Sequence, residues 1–135
     1  MLEIHEDIGG IMVDVTFHAG ISCVDLHSSG NGKTLLFDRI KAYCLKNSIA
    51  YRAYNYDSQS VDVAAELGGL TGTVVVLLDN ADLYWSDAVC DALTALPEDA
   101  IVLVSIKQRR RLKTGYALYK IAYDADRLTA AEVIL

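Results

Sequence analysis

Hydrophobic and polar positions near the start of the chain follow the pattern of β-strands. Apolar and polar residues partly alternate over Ile11–Phe17, which indicates a half-buried strand. His18–Gly20 has the residue types of a turn, and Ile21–Leu26 is a further apolar run. Together these segments predict a hairpin that leads into a buried strand.

The spacing then changes from that of strands to that of helices. After Thr34 the apolar positions recur three or four residues apart, which predicts a helix of about three turns. Its expected core positions are Leu36, Ile40, Tyr43 and Cys44. Ala50–Tyr56 is rich in aromatic residues and predicts a strand. A second helix is expected from a cap at Ser58 or Ser60 to a stop at Gly68–Gly69.

The middle of the chain continues to alternate between strands and helices. Val74–Leu78 is a β-branched run without polar alternation, as expected for a central strand covered on both faces. Ser86 is a suitable N-cap for a third helix that Pro97 ends, and Ile101–Ile106 is another apolar run. This order predicts an α/β fold of three layers with a mainly parallel central sheet.

The C-terminal segment departs from this alternation. Tyr116–Tyr123 predicts a strand and Asp124–Asp126 a turn, so we expect a closing antiparallel hairpin. Thr129–Glu132 also has the sequence of a capping box, which leaves a short terminal helix as the alternative. The fold predicted from the sequence therefore has an N-terminal hairpin, a mainly parallel central sheet and a C-terminal antiparallel hairpin.

Composition and charge limit the classes of protein to which the chain can belong. The 135 residues are 53% apolar and 22% charged, which predicts a single globular domain over residues 1–135. A net charge of −6 argues against binding nucleic acid over the whole surface, although a local basic patch stays open. The segment 1–10 lacks the features of a secretory signal, and the apolar runs are too short to span a bilayer. Three scattered cysteines indicate free thiols, so we expect a cytoplasmic protein without membrane insertion.

The segment His27–Thr34, between the buried strand and the first helix, has the chemistry of a phosphate-binding loop. Glycines let backbone N–H groups converge on a phosphate, and the helix that follows adds its unpaired N–H groups. Lys33 would neutralise the terminal phosphates, and the Thr34 hydroxyl would bind Mg²⁺. The predicted nucleotide-binding residues are Ser28, Ser29, Gly30, Asn31, Gly32, Lys33 and Thr34.

This segment resembles the Walker A loop of P-loop NTPases, whose pattern is GxxxxGK[ST]. It differs from that pattern at His27, which stands where the first glycine is expected. The resemblance implies ATP or ADP as the ligand and Mg²⁺ as the cofactor. It also implies an acidic residue at the end of a neighbouring strand, and Val74–Asp79 resembles that Walker B element. Asp79 and Thr34, 45 residues apart, are therefore the candidate metal ligands.

The residues after Asp79 bear on hydrolysis. Many hydrolytic members of this superfamily have a glutamate next to the Walker B aspartate, which polarises the attacking water. This chain has Asn80 there, and an amide cannot take up a proton. Asp82 is the candidate catalytic residue in its place, with an acidic turn or a helix cap as the alternative. We therefore expect slow or partner-dependent ATP hydrolysis.

Two weaker features lie further along the chain. Ser105, at the end of the strand from Ile101, is a candidate sensor of the γ-phosphate or a hydroxyl that bonds to backbone. Arg109–Arg111 belongs to the densest basic run. This run would supply an arginine finger to a neighbouring subunit, or bind an acidic partner or nucleic acid. The alternative is that it forms a solvated surface. Tyr84 and Trp85 follow the acidic turn, and aromatic residues in this position usually pack into the core.

The order of elements resembles a minimal P-loop ATPase core, and the lead-in Val13–Ile21 resembles the strands before the loop in ABC-type ATPases. The run Leu77–Asp82 is similar to AAA-like or STAND-type ATPases. The chain has no LSGGQ-like signature and no base-recognition motif of GTPases. Three hypotheses follow: an ATPase, a nucleotide-dependent switch with little turnover, and a degenerate P-loop scaffold for protein interaction. An exposed phosphate site without a lid also suggests a homodimer or a larger protein complex.

Overall fold

The computed structural model describes residues 1–26, 32–55, 57, 61–70 and 74–133. Within these ranges the chain forms one mixed sheet of eight strands and three α-helices. The strands are β1 Leu2–Ile8, β2 Ile11–Phe17, β3 Gly20–Leu26, β4 Tyr51–Tyr54, β5 Val75–Leu78, β6 Ile101–Val104, β7 Ala117–Asp124 and β8 Arg127–Val133. The helices are α1 Gly32–Lys46, α2 Val63–Gly68 and α3 Asp87–Thr94.

The sheet has a parallel part and an antiparallel part. The strand order is β1-β2-β8-β7-β3-β6-β5-β4. The five strands from β7 to β4 in that order run parallel to one another. β1 pairs with β2, and β7 with β8, as antiparallel hairpins, and β2 runs parallel to β8. The predicted parallel sheet and C-terminal hairpin are thereby confirmed.

The predicted N-terminal hairpin is wrong in its position. β2 and β3 are not partners, because β8 and β7 lie between them in the sheet. The hairpin instead joins β1 to β2 through Gly9 and Gly10, whose φ angles of 60° and 85° favour glycine. The alternative of a C-terminal helix at Thr129 is also wrong, since Thr129 lies in β8.

Helices pack on both faces of the sheet, as a three-layer arrangement requires. Side chains alternate between the faces of each strand, so Val75 and Leu77 join the core under α1 while Val76 and Leu78 join the core under α2 and α3. The edge strand β1 folds back over α1, where the Arg39 side chain donates to the Ile8 carbonyl at 2.9 Å. The sheet therefore curls around α1.

Helix ends follow the expected chemistry with one change of cap. The Asp62 carboxylate caps α2 by accepting from Ala65 N, whereas the predicted caps Ser58 and Ser60 lie outside the described residues. Ser86 caps α3 by accepting from Val89 N at 3.2 Å, as predicted. Because the strands β3 to β6 are parallel, their carboxyl ends all meet the start of α1 at one edge of the sheet.

Candidate functional site

Two predicted metal ligands meet at the carboxyl edge of the sheet. Thr34 lies in the first turn of α1 and is exposed, and Asp79 follows β5 directly and is 8% exposed. The Thr34 hydroxyl donates to Oδ2 of Asp79 at 3.3 Å. The fold thus brings together two oxygen-bearing side chains that are 45 residues apart in sequence.

The expectation that Asp79 lies on a strand next to the loop strand is wrong. β6 separates β5 from β3, so the strand of Asp79 is the next but one from the strand that precedes the loop. Thr34 reaches Asp79 because α1 crosses one face of the sheet after β3. Ser105 follows the intervening β6 and is buried, with its backbone N donating to Leu78 O at 2.8 Å.

The backbone of Asp79 is held by the strand beside it and by a half-buried tyrosine. Its N–H donates to the Tyr54 carbonyl at 2.9 Å, and its own carbonyl accepts from the Tyr84 hydroxyl at 2.7 Å. Burial raises the pKa of Tyr84 well above its ordinary value, and the negative charge of Asp79 adds to this effect. Tyr84 therefore remains a neutral hydrogen-bond donor that fixes the end of β5.

A cleft of about 100 Å³ opens beside the Thr34–Asp79 contact. α1 forms one wall, and the ends of β4 and β5 form the other. Its polar lining includes Asp38, Lys41 and Asn55, which the sequence analysis missed. Asp38 and Lys41 follow Thr34 by four and seven residues, so helical spacing could have placed all three on one face of α1.

The residues after Asp79 form a tight turn. Asn80 is exposed and has a left-handed backbone with φ of 52°, which asparagine tolerates better than most residues. A single 3₁₀ turn follows at Ala81–Leu83. Asn80 lines the cleft with Asp79, while Asp82 is not among the residues of its lining.

The Asp82 carboxylate contacts the loop after β6. One oxygen accepts from Lys107 N at 2.8 Å and the other from Gln108 N at 3.2 Å. Since both oxygens accept backbone N–H groups, this side chain acts in the structure as a link between two loops. That geometry corresponds to the alternative of an acidic turn or cap, and it supplies no contact between Asp82 and the cleft.

Part of the basic run has the same linking role. The Arg111 guanidinium donates to the carbonyls of Asp82 and Trp85, at 3.1 and 2.9 Å, and the Trp85 indole donates to Arg111 O at 3.0 Å. Trp85 is 6% exposed, which confirms that it packs into the core. Arg109 and Arg110 are exposed on a 3₁₀ turn.

The loop itself is only partly within the described residues. His27, together with the predicted nucleotide-binding residues Ser28, Ser29, Gly30 and Asn31, lies outside them. Gly32 and Lys33 are the first two residues of α1, so the helix begins inside the motif as expected. A helix that starts here directs its unpaired N–H groups toward the loop.

The Thr34–Asp79 pair fits the requirements of Mg²⁺ in spacing and in chemistry. Adjacent ligands of an octahedral ion with bonds of 2.0–2.1 Å lie about 2.9 Å apart, close to the observed separation. Both side chains offer oxygen, and Mg²⁺ keeps waters or phosphate oxygens at its other positions. Among the described residues no group of three or more His, Cys, Asp and Glu side chains could hold a metal ion.

The fold and the site define an α/β protein with a cleft at the carboxyl edge of its parallel strands, lined by both apolar and polar side chains. Comparisons of the chain with protein-family models, with curated proteins and with solved structures gave no match. Among the described helices, none is both long enough and apolar enough to cross a membrane.

Proposed function

We propose that this protein binds a Mg²⁺-bound nucleoside triphosphate, ATP, at the carboxyl edge of its parallel strands. The observation that carries the proposal is the contact between Thr34 and Asp79, the residues that the motif nominated as metal ligands. A hydroxyl and a carboxylate arranged in this way at a helix start suit a metal ion that also binds phosphate oxygens.

Each part of the site has a separate task in this proposal. Backbone N–H groups of residues 28–34 would surround the phosphates, and Lys33 would neutralise their charge. Thr34 and Asp79 would hold Mg²⁺, which when bound reduces the negative charge of the phosphates. The half-buried Tyr84 keeps Asp79 in place through its hydrogen bond to the Asp79 carbonyl.

Hydrolysis is slow or depends on a partner in this proposal. Asn80 lines the cleft but has no basic oxygen that could take a proton from water. Asp82 has both carboxylate oxygens occupied by the N–H groups of Lys107 and Gln108. A partner that adds an arginine or a glutamate would raise turnover, and we propose a homodimer or larger complex as the setting.

Cellular context follows from the cysteines. Cys23, Cys44 and Cys90 are buried and form no disulfide bond, and burial raises the pKa of Cys44 to about 11. Buried thiols of this kind are inert packing residues and are common in a reducing compartment. We propose that the protein acts in the cytoplasm.

Thermal shift with Mg²⁺ and ATP tests the proposal. Ligand at about a hundred times its Kd stabilises the folded state by about 2.7 kcal/mol, which raises the Tm by several degrees. Lys33→Ala and Thr34→Val should each abolish most of this shift. The matched controls Lys46→Ala, at the other end of α1, and Thr16→Val, on β2, should keep it.

Phosphate release measured on the same samples separates the three hypotheses. A thermal shift with little release supports nucleotide binding with slow turnover, and rapid release supports an ATPase. If ATP leaves the Tm unchanged in the wild type, or if Lys33→Ala keeps the full shift, the proposal fails. The chain would then be a P-loop scaffold for protein interaction.

A further inference from the structure

The cleft beside Thr34 and Asp79 is lined by polar groups that have no role in binding ATP. Asp38 and Lys41 project into it from α1, and Asn55 and Asn80 contribute amides from the ends of β4 and β5. A phosphate site needs positive charge and N–H donors, so a carboxylate such as Asp38 has no task toward the triphosphate. These groups point to a second ligand next to the nucleotide.

The size of the cleft limits that ligand to a small molecule. Its volume is about 100 Å³, and a single water needs about 10–15 Å³ of space measured this way. The cleft therefore holds on the order of eight water-sized groups. Phe37, Ala53 and Leu77 also line it, which provides apolar contact for a short carbon chain. A compound of three or so carbons fits, and a second nucleotide does not.

The charges of the cleft define the chemistry of the ligand. The Lys41 ammonium lies 3.3 Å from Asp38, and both side chains are partly exposed at the rim. An ammonium binds a carboxylate, whereas a carboxylate binds the hydrogen of a hydroxyl group. The Asn80 amide can donate to, or accept from, a further hydroxyl, whereas Oδ1 of Asn55 accepts from Asp57 N at 2.8 Å. Together these groups suit a small hydroxy acid.

We propose that the cleft binds a small hydroxy acid whose hydroxyl group accepts the γ-phosphoryl group of the bound nucleotide. This inference rests on the proposed ATP site. In the transfer, the acceptor oxygen forms a bond to the γ-phosphorus and the bond from that phosphorus to the β–γ bridging oxygen breaks. The hydroxyl proton passes to Asp38, ADP leaves, and the phosphorylated acid is the product.

The turn after Asp79 agrees with transfer to an acceptor other than water. A phosphotransferase gains from poor activation of water, because hydrolysis would waste the nucleotide. Asn80 offers no base, and the Asp82 oxygens accept from backbone N–H groups away from the cleft. Asp38 is the carboxylate in the cleft that lies on the same helix as Thr34.

Binding is tested first without nucleotide, by NMR of the side-chain amides of Asn55 and Asn80 in the full chain. The probes are glycerate, glycerol, which lacks the carboxylate, and propionate, which lacks hydroxyls. Glycerate should shift both amides, with the other two at least about tenfold weaker. Lys41→Gln should weaken glycerate by about tenfold or more, and the control Lys46→Gln should not.

Transfer is tested by ³¹P NMR with Mg²⁺, ATP and glycerate. Phosphoglycerate should form in the wild type, and Asp38→Asn should lower its rate by about a hundredfold. Failure of glycerate to shift the amides, equal binding by glycerol, or binding without phosphoglycerate would each overturn the proposal. A normal ATP thermal shift with no glycerate binding rejects the acceptor site alone, whereas loss of the ATP shift rejects the nucleotide site.

Discussion

Two aspartates three positions apart, Asp79 and Asp82, have different surroundings at the same edge of the sheet. Asp79 is 8% exposed, follows β5 directly and contacts the Thr34 hydroxyl in the cleft. Asp82 is half-buried and binds the backbone of Lys107 and Gln108 on the far side of the turn. The left-handed Asn80 between them turns the chain away from the cleft.

The comparison distinguishes Asp79, which we propose as a metal ligand, from Asp82, whose carboxylate links two loops. A strand end in a parallel sheet directs its first polar side chain toward the crevice where ligands bind. A residue within the following turn is placed by the hydrogen bonds of that turn. Sequence distance from the motif is therefore a weaker guide to function than the hydrogen-bond partners of each oxygen.

Removing the charge of Asp79 should have the largest effect. We expect Asp79→Asn to lower the affinity for ATP in the presence of Mg²⁺ by about tenfold or more, because a metal ligand loses its charge. Calorimetric titration with and without Mg²⁺ measures this, and the Mg²⁺ dependence should nearly disappear. The control Asp91→Asn, on α3, should bind like the wild type. Equal affinity in Asp79→Asn and wild type would remove Asp79 from the metal site.

Asp82→Ala should have the opposite profile, with lower stability and unchanged nucleotide affinity. Loss of two hydrogen bonds to a carboxylate, discounted for its partial exposure, predicts a fall of about 1–2 kcal/mol in the free energy of unfolding. Trp85 is the only tryptophan and bonds to Arg111 O, so its fluorescence in urea reports this corner. If Asp82→Ala instead abolished phosphate release with normal stability, Asp82 would be catalytic as its sequence position suggests.

The fold shows which features the sequence could predict. The runs at Val75–Leu78 and Ile101–Val104 lack polar alternation, and both strands are central and buried on each face. The order of the strands in the sheet could not be predicted from local sequence patterns. The position of β6 between β3 and β5 depends on contacts between segments that are distant in the sequence. The hairpin at Gly9–Gly10 could have been found, because a Gly-Gly pair favours a two-residue hairpin loop.

The sequence predicted the two candidate metal ligands, but it did not predict the polar residues of the cleft beside them. Thr34 and Asp79 each follow from a local motif, and the fold then brings them together. Asp38 and Lys41 form an i,i+3 ion pair on α1, a pattern that usually marks a solvated helix face. Only the position of β4 and β5 beside that face turns it into the wall of a cleft.

Alkaline pH should lower the stability of the protein through Tyr54, whose carbonyl accepts from the Asp79 N–H. Burial raises the pKa of Tyr54 to about 12, and its hydrogen bond to Glu66 adds to the increase. The unfolded chain loses this proton near pH 10, so the stabilisation is complete below that pH and is lost as pH rises toward 12. Thermal melts between pH 9 and pH 12, about one unit apart, should show a smaller decline in Tyr54→Phe than in wild type. Equal slopes would contradict this assignment.

The smallest effect on stability is expected from substitution of a third aspartate, which lies far from the cleft. This substitution tests whether an ion pair is enough to make a carboxylate matter for stability or for ATP binding. Asp14 on β2 accepts from Arg127 on β8 and from His5 on β1, and these contacts, with that of Arg127 first, lower its pKa below the ordinary 3.8. The contribution of Asp14 to stability is therefore present above pH 3.8 and is lost as pH falls through the lowered value. Because the cluster is exposed, Asp14→Asn should lower the Tm only slightly at neutral pH, and the difference from wild type should vanish in acid. ATP affinity should be unchanged in this variant, because Asp14 lies on β2, whereas Asp79, the proposed metal ligand, lies with Thr34 at the cleft. A Tm difference that persists in acid would mean that Asp14 acts through packing.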